Sequence, residues 1–189
     1  MDKLLFTPGP LTTSTKVKSE MTRDIGSRDI EFVEIIKEIR ERLLQVAGLR
    51  IGEGYEVILM QGAGTFGIES VISSSIPHNG KLLAIINGSY GRRMAHIASI
   101  HNIPVVQINY KENEIPSAVD VQKVLREDQN ITHVCIVHCE TTTGIINPIA
   151  EIGEIVKGNG MTYIVDAMSS FGAVTVDIKD IGIDFLISS

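Results

Sequence analysis

The chain has 189 residues, and 17 Lys and Arg against 23 Asp and Glu leave a formal net charge of −6, with 43% apolar, 21% charged and 5% aromatic residues. At this length and apolar content a domain-sized core is expected and intrinsic disorder is excluded. The acidic balance, with Arg92-Arg93 as the longest basic run, lacks the clustered cations that hold nucleic acid or an anionic bilayer, so neither is expected as a partner. No apolar run approaches the ~20 residues of a membrane span. Pro8 and Pro10 interrupt the N-terminus before a signal-like stretch forms, so a cytoplasmic address is the expectation.

In chain order, FTPGPL at 6–11 reads as a rigid extended arm. A helix follows over 30–46, where Phe32, Ile35, Ile36, Ile39, Leu43 and Val46 recur at helical spacing and Gly48 supplies a stop. From residue 55 onward short β-like runs alternate with helix-length segments. Strands are expected over 55–60, 81–86, 104–109, 133–138, 161–165 and 184–187, and helices over 65–75, 90–101, 117–127 and 148–157. The alternation predicts an α/β fold, a mostly parallel central sheet with helices on both faces. LLAII at 82–86 and VCIV at 134–137 are apolar throughout, as strands covered on both sides must be. No repeat or linker divides the chain, and DFLISS at 184–189 reads as a buried strand without a closing helix. Residues 1–189 are therefore expected to be an N-terminal segment plus most of a larger domain that continues beyond Ser189.

Cys135 and Cys139 lie four apart in one apolar run, too few for a disulfide framework and in keeping with a reducing compartment. Together with His138 they lack a second ligand pair at zinc-like spacing, so a buried free thiol is preferred to a metal site, and no metal is expected.

Four loops carry candidate chemistry. QGAGTFG at 61–67 places bare backbone N–H groups and the Thr65 hydroxyl at a helix start, a phosphate cradle or a structural turn. Its G-x-G-x-x-G spacing lacks the acid a dinucleotide site needs at the tip of the next strand. In NGSYGRR at 87–93, Tyr90 either stacks on an aromatic ligand or packs at a helix start. CETTTG at 139–144 offers hydroxyls for a phenolic or phosphate oxygen, or caps a following helix. In IVDAMSSFG at 164–172, Asp166 leaves a buried strand, where a carboxylate needs a cationic or hydrogen-bonded partner, or caps a following turn. One ligand would account for all four: a phosphorylated, protonated pyridine with a phenolic oxygen.

These motifs, with FTPGPL at 6–11 and RDIGSR at 23–28, resemble in order and spacing the class V aminotransferases of pyridoxal phosphate fold type I, over essentially the whole chain. The resemblance implies that the Ala63 and Gly64 backbone and the Thr65 side chain bind the phosphate of pyridoxal 5'-phosphate. It further implies that Tyr90 stacks on the ring, Met168 packs on the opposite face, Thr142 bonds the 3-hydroxyl and the catalytic Asp166 pairs with the ring nitrogen. Ser170 would lie near the substrate's acid group. Within the class the chain is most similar to members that move the amino group of 2-aminoethylphosphonate to pyruvate, which implies phosphonate catabolism by a homodimer. The family's Schiff-base lysine falls just beyond Ser189, as does its small C-terminal domain, so residues 1–189 alone are not expected to turn over. Amino transfer from alanine to glyoxylate, or from serine, is the neighbouring alternative, and a non-catalytic phosphate-ligand-binding domain is the alternative of another class.

Overall fold

The computed structural model describes residues 3–7, 9 and 11–189, so Pro8 and Pro10 of the expected N-terminal arm lie outside the described residues. The chain divides into two compact units, Met1–Leu59 and Met60–Ser189.

In the first unit a short helix, α1 (Thr15–Glu20), starts behind Ser14, whose side chain accepts the Val17 N–H at 3.3 Å. Helix α2 (Ile30–Val46) covers the expected range. It stops because Gly48 takes φ 73°, a backbone shape that costs glycine little. The Gly48 N–H then reaches the Gln45 carbonyl at 3.0 Å and the Leu49 N–H the Leu44 carbonyl at 2.8 Å, which satisfies carbonyls the helix leaves open. None of the six apolar residues that marked this helix is fully buried, and Ile35, Ile39 and Val46 are exposed. Residues 55–60, expected as a strand, form none. Their composition favours an extended chain, but a strand exists only where a neighbouring backbone pairs with it. Here the Val57 carbonyl accepts instead from Arg40 Nε at 3.0 Å, and Ile58 is exposed.

The second unit holds α3 (Gly64–Ser75), β1 (Leu82–Ile86), α4 (Ser89–Ile100), β2 (Val105–Asn109), α5 (Ala118–Glu127) and β3 (His133–Val137). A two-strand antiparallel pair follows, β4 (Cys139–Glu140) with β5 (Ile145–Ile146), then α6 (Ile149–Gly158), β6 (Thr162–Asp166), α7 (Ile178–Ile181) and β7 (Phe185–Ile187). The larger elements fall within one residue of their expected bounds. The β4–β5 pair and α7 were not expected. Five strands form one parallel sheet in the order β2-β1-β3-β6-β7.

Period-two alternation splits the strand residues between two cores. Leu82, Ala84 and Ile86 of β1, Cys135 and Val137 of β3 and Ile164 of β6 pack with Ile68, Ile72, Met94 and Ala98 of α3 and α4. Leu83, Ile85 and Tyr163, equally buried, turn to the opposite face, where α6 packs on the sheet and on α5. Among the described residues no helix is long and apolar enough to cross a membrane.

From β1 the chain crosses to β2 on one side and returns to β3 on the other. The connections leaving β1 and β3 thus part, opening a crevice at the strands' carboxyl ends. Asn87 and Asn147 lock it in a buried amide pair, with Asn87 Nδ2 to Asn147 Oδ1 at 2.8 Å and the return bond at 3.0 Å. Further bonds to the Glu114 and Val137 carbonyls use the remaining donors, so the pair costs no unsatisfied polar group.

Candidate active site

Three of the expected site residues leave the carboxyl ends of three adjacent strands. Tyr90 is the second residue of α4, directly after β1; Thr142 sits in the turn between β4 and β5, after β3; Asp166 ends β6. Neighbouring parallel strands lie ~4.8 Å apart, so the three positions span about two strand spacings, ~10 Å, a distance one substituted ring can bridge.

Asp166 is 2% exposed, and its two oxygens differ. Oδ1 accepts the Met168 N–H at 3.0 Å, a local turn of the kind read as the structural alternative. Oδ2 is buried without any hydrogen-bond partner. Burial pushes the carboxyl up to about 6; the Met168 N–H pulls it down, Glu140 pushes it up and the Arg93 cation lowers it. An orphaned carboxylate oxygen beneath a crevice fits a cationic N–H donor such as a protonated heterocycle.

Helix α3 opens toward the same region. Ala63 at its N-cap offers no side-chain oxygen, so the first N–H groups are left for a ligand. A Cβ on Gly64 would run into the end of the Met168 side chain, so this glycine lets backbone and thioether meet. Met168 and Tyr90 both rest, partly buried, against the core between α3, α4 and the sheet. The structure therefore brings Ala63, Gly64, Thr65, Tyr90, Met168 and Asp166 to one end of the sheet.

The threonine run does not cap a helix, because α6 begins behind Pro148 with no side-chain cap. It forms the β4–β5 turn, closed by the Thr143 and Gly144 N–H groups on the Glu140 carbonyl at 3.1 and 2.7 Å, with Gly144 at φ 74°. Ser170 lies deeper than the other site residues. It is 1% exposed, and its Oγ pairs with His138 Nδ1 at 2.8 Å and donates to the Ala167 carbonyl at 3.4 Å. Burial lowers the His138 pKa, which favours the neutral ring.

Two residues escaped the sequence reading. Arg93 holds its guanidinium 4.7 Å from the Tyr90 ring centroid and donates to Thr65 Oγ1 at 3.2 Å, placing a cation beside the start of α3. Its signal was present, one helical turn after Tyr90 on the same face of α4. Glu140 is 0% exposed and accepts from the Tyr90 N–H at 3.2 Å, the Gly91 N–H at 3.5 Å and the Thr142 hydroxyl at 3.2 Å. A carboxylate directly after an apolar strand was its only mark. Cys135 belongs to the core, where burial raises its thiol pKa.

A parallel sheet that gathers an orphaned carboxylate, an aromatic ring and an open helix start at its carboxyl ends has the donors and acceptors to fit an anionic, heteroaromatic ligand. The class V aminotransferase profile matches residues 11–189. The chain belongs to that family. A 2-aminoethylphosphonate–pyruvate transaminase of Bacillus cereus (strain G9842) is 50% identical over 186 residues, covering 98% of this chain and 51% of that protein. One of Syntrophobacter fumaroxidans is 48% identical over 98% of this chain and 50% of its own length. Among solved structures, an alanine–glyoxylate aminotransferase from Nostoc sp. superposes with a TM-score of 0.89 at 26% identity, covering 98% of this chain and 48% of that one. A pyridoxamine–pyruvate aminotransferase from Mesorhizobium loti superposes with a TM-score of 0.88 at 25% identity, over 99% and 47%. The chain spans about half the length of the curated relatives it matches.

Proposed function

We propose that this protein is a pyridoxal phosphate-dependent transaminase that moves the amino group of 2-aminoethylphosphonate to pyruvate, releasing phosphonoacetaldehyde and alanine. The cofactor assignment is carried by the buried, unpartnered Oδ2 of Asp166. The substrates are supported by the printed names of relatives at 48% and 50% identity.

When bound, the cofactor supplies an electron sink, because a protonated pyridine takes up the electron pair left when the substrate's C1 loses a proton. Asp166 holds the ring-nitrogen proton at Oδ2 and so keeps that sink available. The Ala63 and Gly64 backbone and the Thr65 hydroxyl bind the phosphate at the positive end of α3, with Arg93 adding a cation beside them. Tyr90 and Met168, both packed on the core beside the start of α3, would hold the ring between them and exclude water from it. Thr142 would bond the 3-oxygen, while Ser170, expected near the substrate's acid group, is buried with its hydroxyl on His138 and the Ala167 carbonyl. The lysine that links the cofactor covalently follows Ser189, the protein works as a homodimer, and its address is cytoplasmic.

The test is alanine production from pyruvate by the protein at the length of its relatives, supplied with pyridoxal phosphate and one amino donor at a time. Alanine and phosphonoacetaldehyde should appear in equal amounts with 2-aminoethylphosphonate. Transfer only from alanine to glyoxylate, or only from serine, would overturn the substrate and keep the class. Absence of any transfer, with phosphate ligands still bound, would favour a binding domain.

A further inference from the structure

Glu140 lies between two loops of the site and bonds to both. Its Oε1 accepts the Tyr90 N–H and the Thr142 hydroxyl, and its Oε2 accepts the Gly91 N–H. The side chain is fully buried at the N-terminus of α4, where the helix offers open N–H donors and positive potential to a carboxylate. Gly88 makes room for it, since a Cβ there would overlap the Glu140 Cγ, Cδ and Oε2 atoms. Gly88 is extended, with φ −173°, so the space rather than the backbone shape calls for glycine at this position.

The Thr142 bond has a directional consequence. A threonine hydroxyl owns one proton and two lone pairs. With the proton committed to Glu140, only lone pairs remain for a ligand. We propose that Glu140 is a positioning residue of the site: it seats the Tyr90 end of α4 and turns Thr142 so that its oxygen accepts from, rather than donates to, the 3-hydroxyl of the cofactor. This rests on the pyridoxal phosphate reading above. A glutamine at 140 has a single acceptor oxygen. It must either abandon the helix N–H groups or present its amide N–H to Thr142, whose own proton then turns outward to the ligand.

The experiment measures dissociation constants by equilibrium dialysis for pyridoxal phosphate and for the analogue lacking the 3-hydroxyl, using the protein at the length of its relatives, unaltered and as Glu140→Gln, Thr142→Ala and Gly88→Ala. Glu140→Gln should weaken pyridoxal phosphate about tenfold, the size of one lost hydrogen bond. It should weaken the deoxy analogue by no more than about threefold. Thr142→Ala should show the same selectivity, and adding Glu140→Gln to it should produce no further selective loss. The absorbance of bound pyridoxal phosphate should shift toward the ionised 3-oxygen in Glu140→Gln, a signature that a packing role would not produce. Gly88→Ala displaces the Glu140 carboxyl without removing it and should reproduce the selectivity, so the test survives if Glu140→Gln does not fold. Equal weakening of both ligands by Glu140→Gln and Gly88→Ala, or no weakening, overturns the proposal and leaves the cofactor reading intact. Absence of saturable binding of either ligand by the unaltered protein at the length of its relatives overturns both.

Discussion

Asp166 is held at a cost to stability. In an unfolded chain its carboxyl titrates at about 4, whereas in the fold burial lifts it to about 6. Across that interval the folded state binds the additional proton, so the group's contribution is fully present below about pH 4 and is lost as pH rises toward 6. Above it the buried charge costs ~3 kcal/mol. Asp166→Asn removes the charge and should raise the melting temperature at pH 7.5 by several degrees, at ~2–4 °C per kcal/mol. At pH 4 it should raise it little, and equal shifts at both pH values would show that desolvation of the carboxylate is not the cause. Under the proposed function the same group should be indispensable to transfer. Asp166→Ala should lower kcat/KM by at least about a hundredfold, ~2.7 kcal/mol of transition-state stabilisation, with Asp166→Glu retaining more. A more stable but inactive variant is the expected mark of strain kept for function. Arg93 acts on the same carboxyl from the other direction. Arg93→Ala should raise the Asp166 pKa further, read as a shift of the side-chain carboxyl signal in a nuclear magnetic resonance titration, and an unmoved titration would remove Arg93 from the site's electrostatics.

At the scale of elements, two glycines separate a functional from a structural role. The nearest atoms to a Cβ on Gly64 belong to the Met168 side chain, its Sδ and Cε first, whereas a Cβ on Gly153 in α6 would approach the Ile181 carbonyl oxygen to 2.7 Å. Side-chain ends move cheaply and backbone does not. Gly153→Ala should therefore destabilise the fold by ~1–3 kcal/mol in denaturant titration, while Gly64→Ala should leave stability nearly unchanged and lower cofactor affinity by pushing Met168 from its place. The converse pattern would assign Gly64 to packing. The same distinction explains what the sequence disclosed. Strands such as 82–86 were legible because burial on both faces demands an unbroken apolar run, and the end of α2 because Gly48 carries its own stop chemistry. Residues 55–60 misled because propensity is local and pairing is not. The candidate site residues stood out as motifs, whereas Arg93 carried only its spacing from Tyr90 and Glu140 only its place after a strand, since their contacts reach across 28 and 50 positions of chain. The Ser170–His138 bond spans 32 positions and was equally hidden.

For the molecule as a whole, stability is expected to be graded rather than uniform. Strand β1 is buried along its entire length and paired on both sides, by β2 and β3, so its amides become exposed only when the sheet opens. Each Leu or Ile fully buried there contributes ~1.5–3 kcal/mol, so partial opening of this strand is nearly as costly as unfolding the unit. Helix α1 stands at the other extreme, with six residues and none buried. An isolated helix of that length lies far below the ~12–15 residues needed for even marginal stability in water, so its amides should exchange through local fraying. Amide hydrogen exchange should then place β1, β3 and β6 slowest, at rates set by global unfolding, with α1 faster by several orders of magnitude. Mild denaturant should accelerate the strand amides steeply and leave α1 unaffected, because fraying exposes almost no new surface. If α1 were protected as strongly as β1, its amides would have to be held by packing that covers the helix, and the division of the chain into an open N-terminal unit and a cooperative sheet unit would fail.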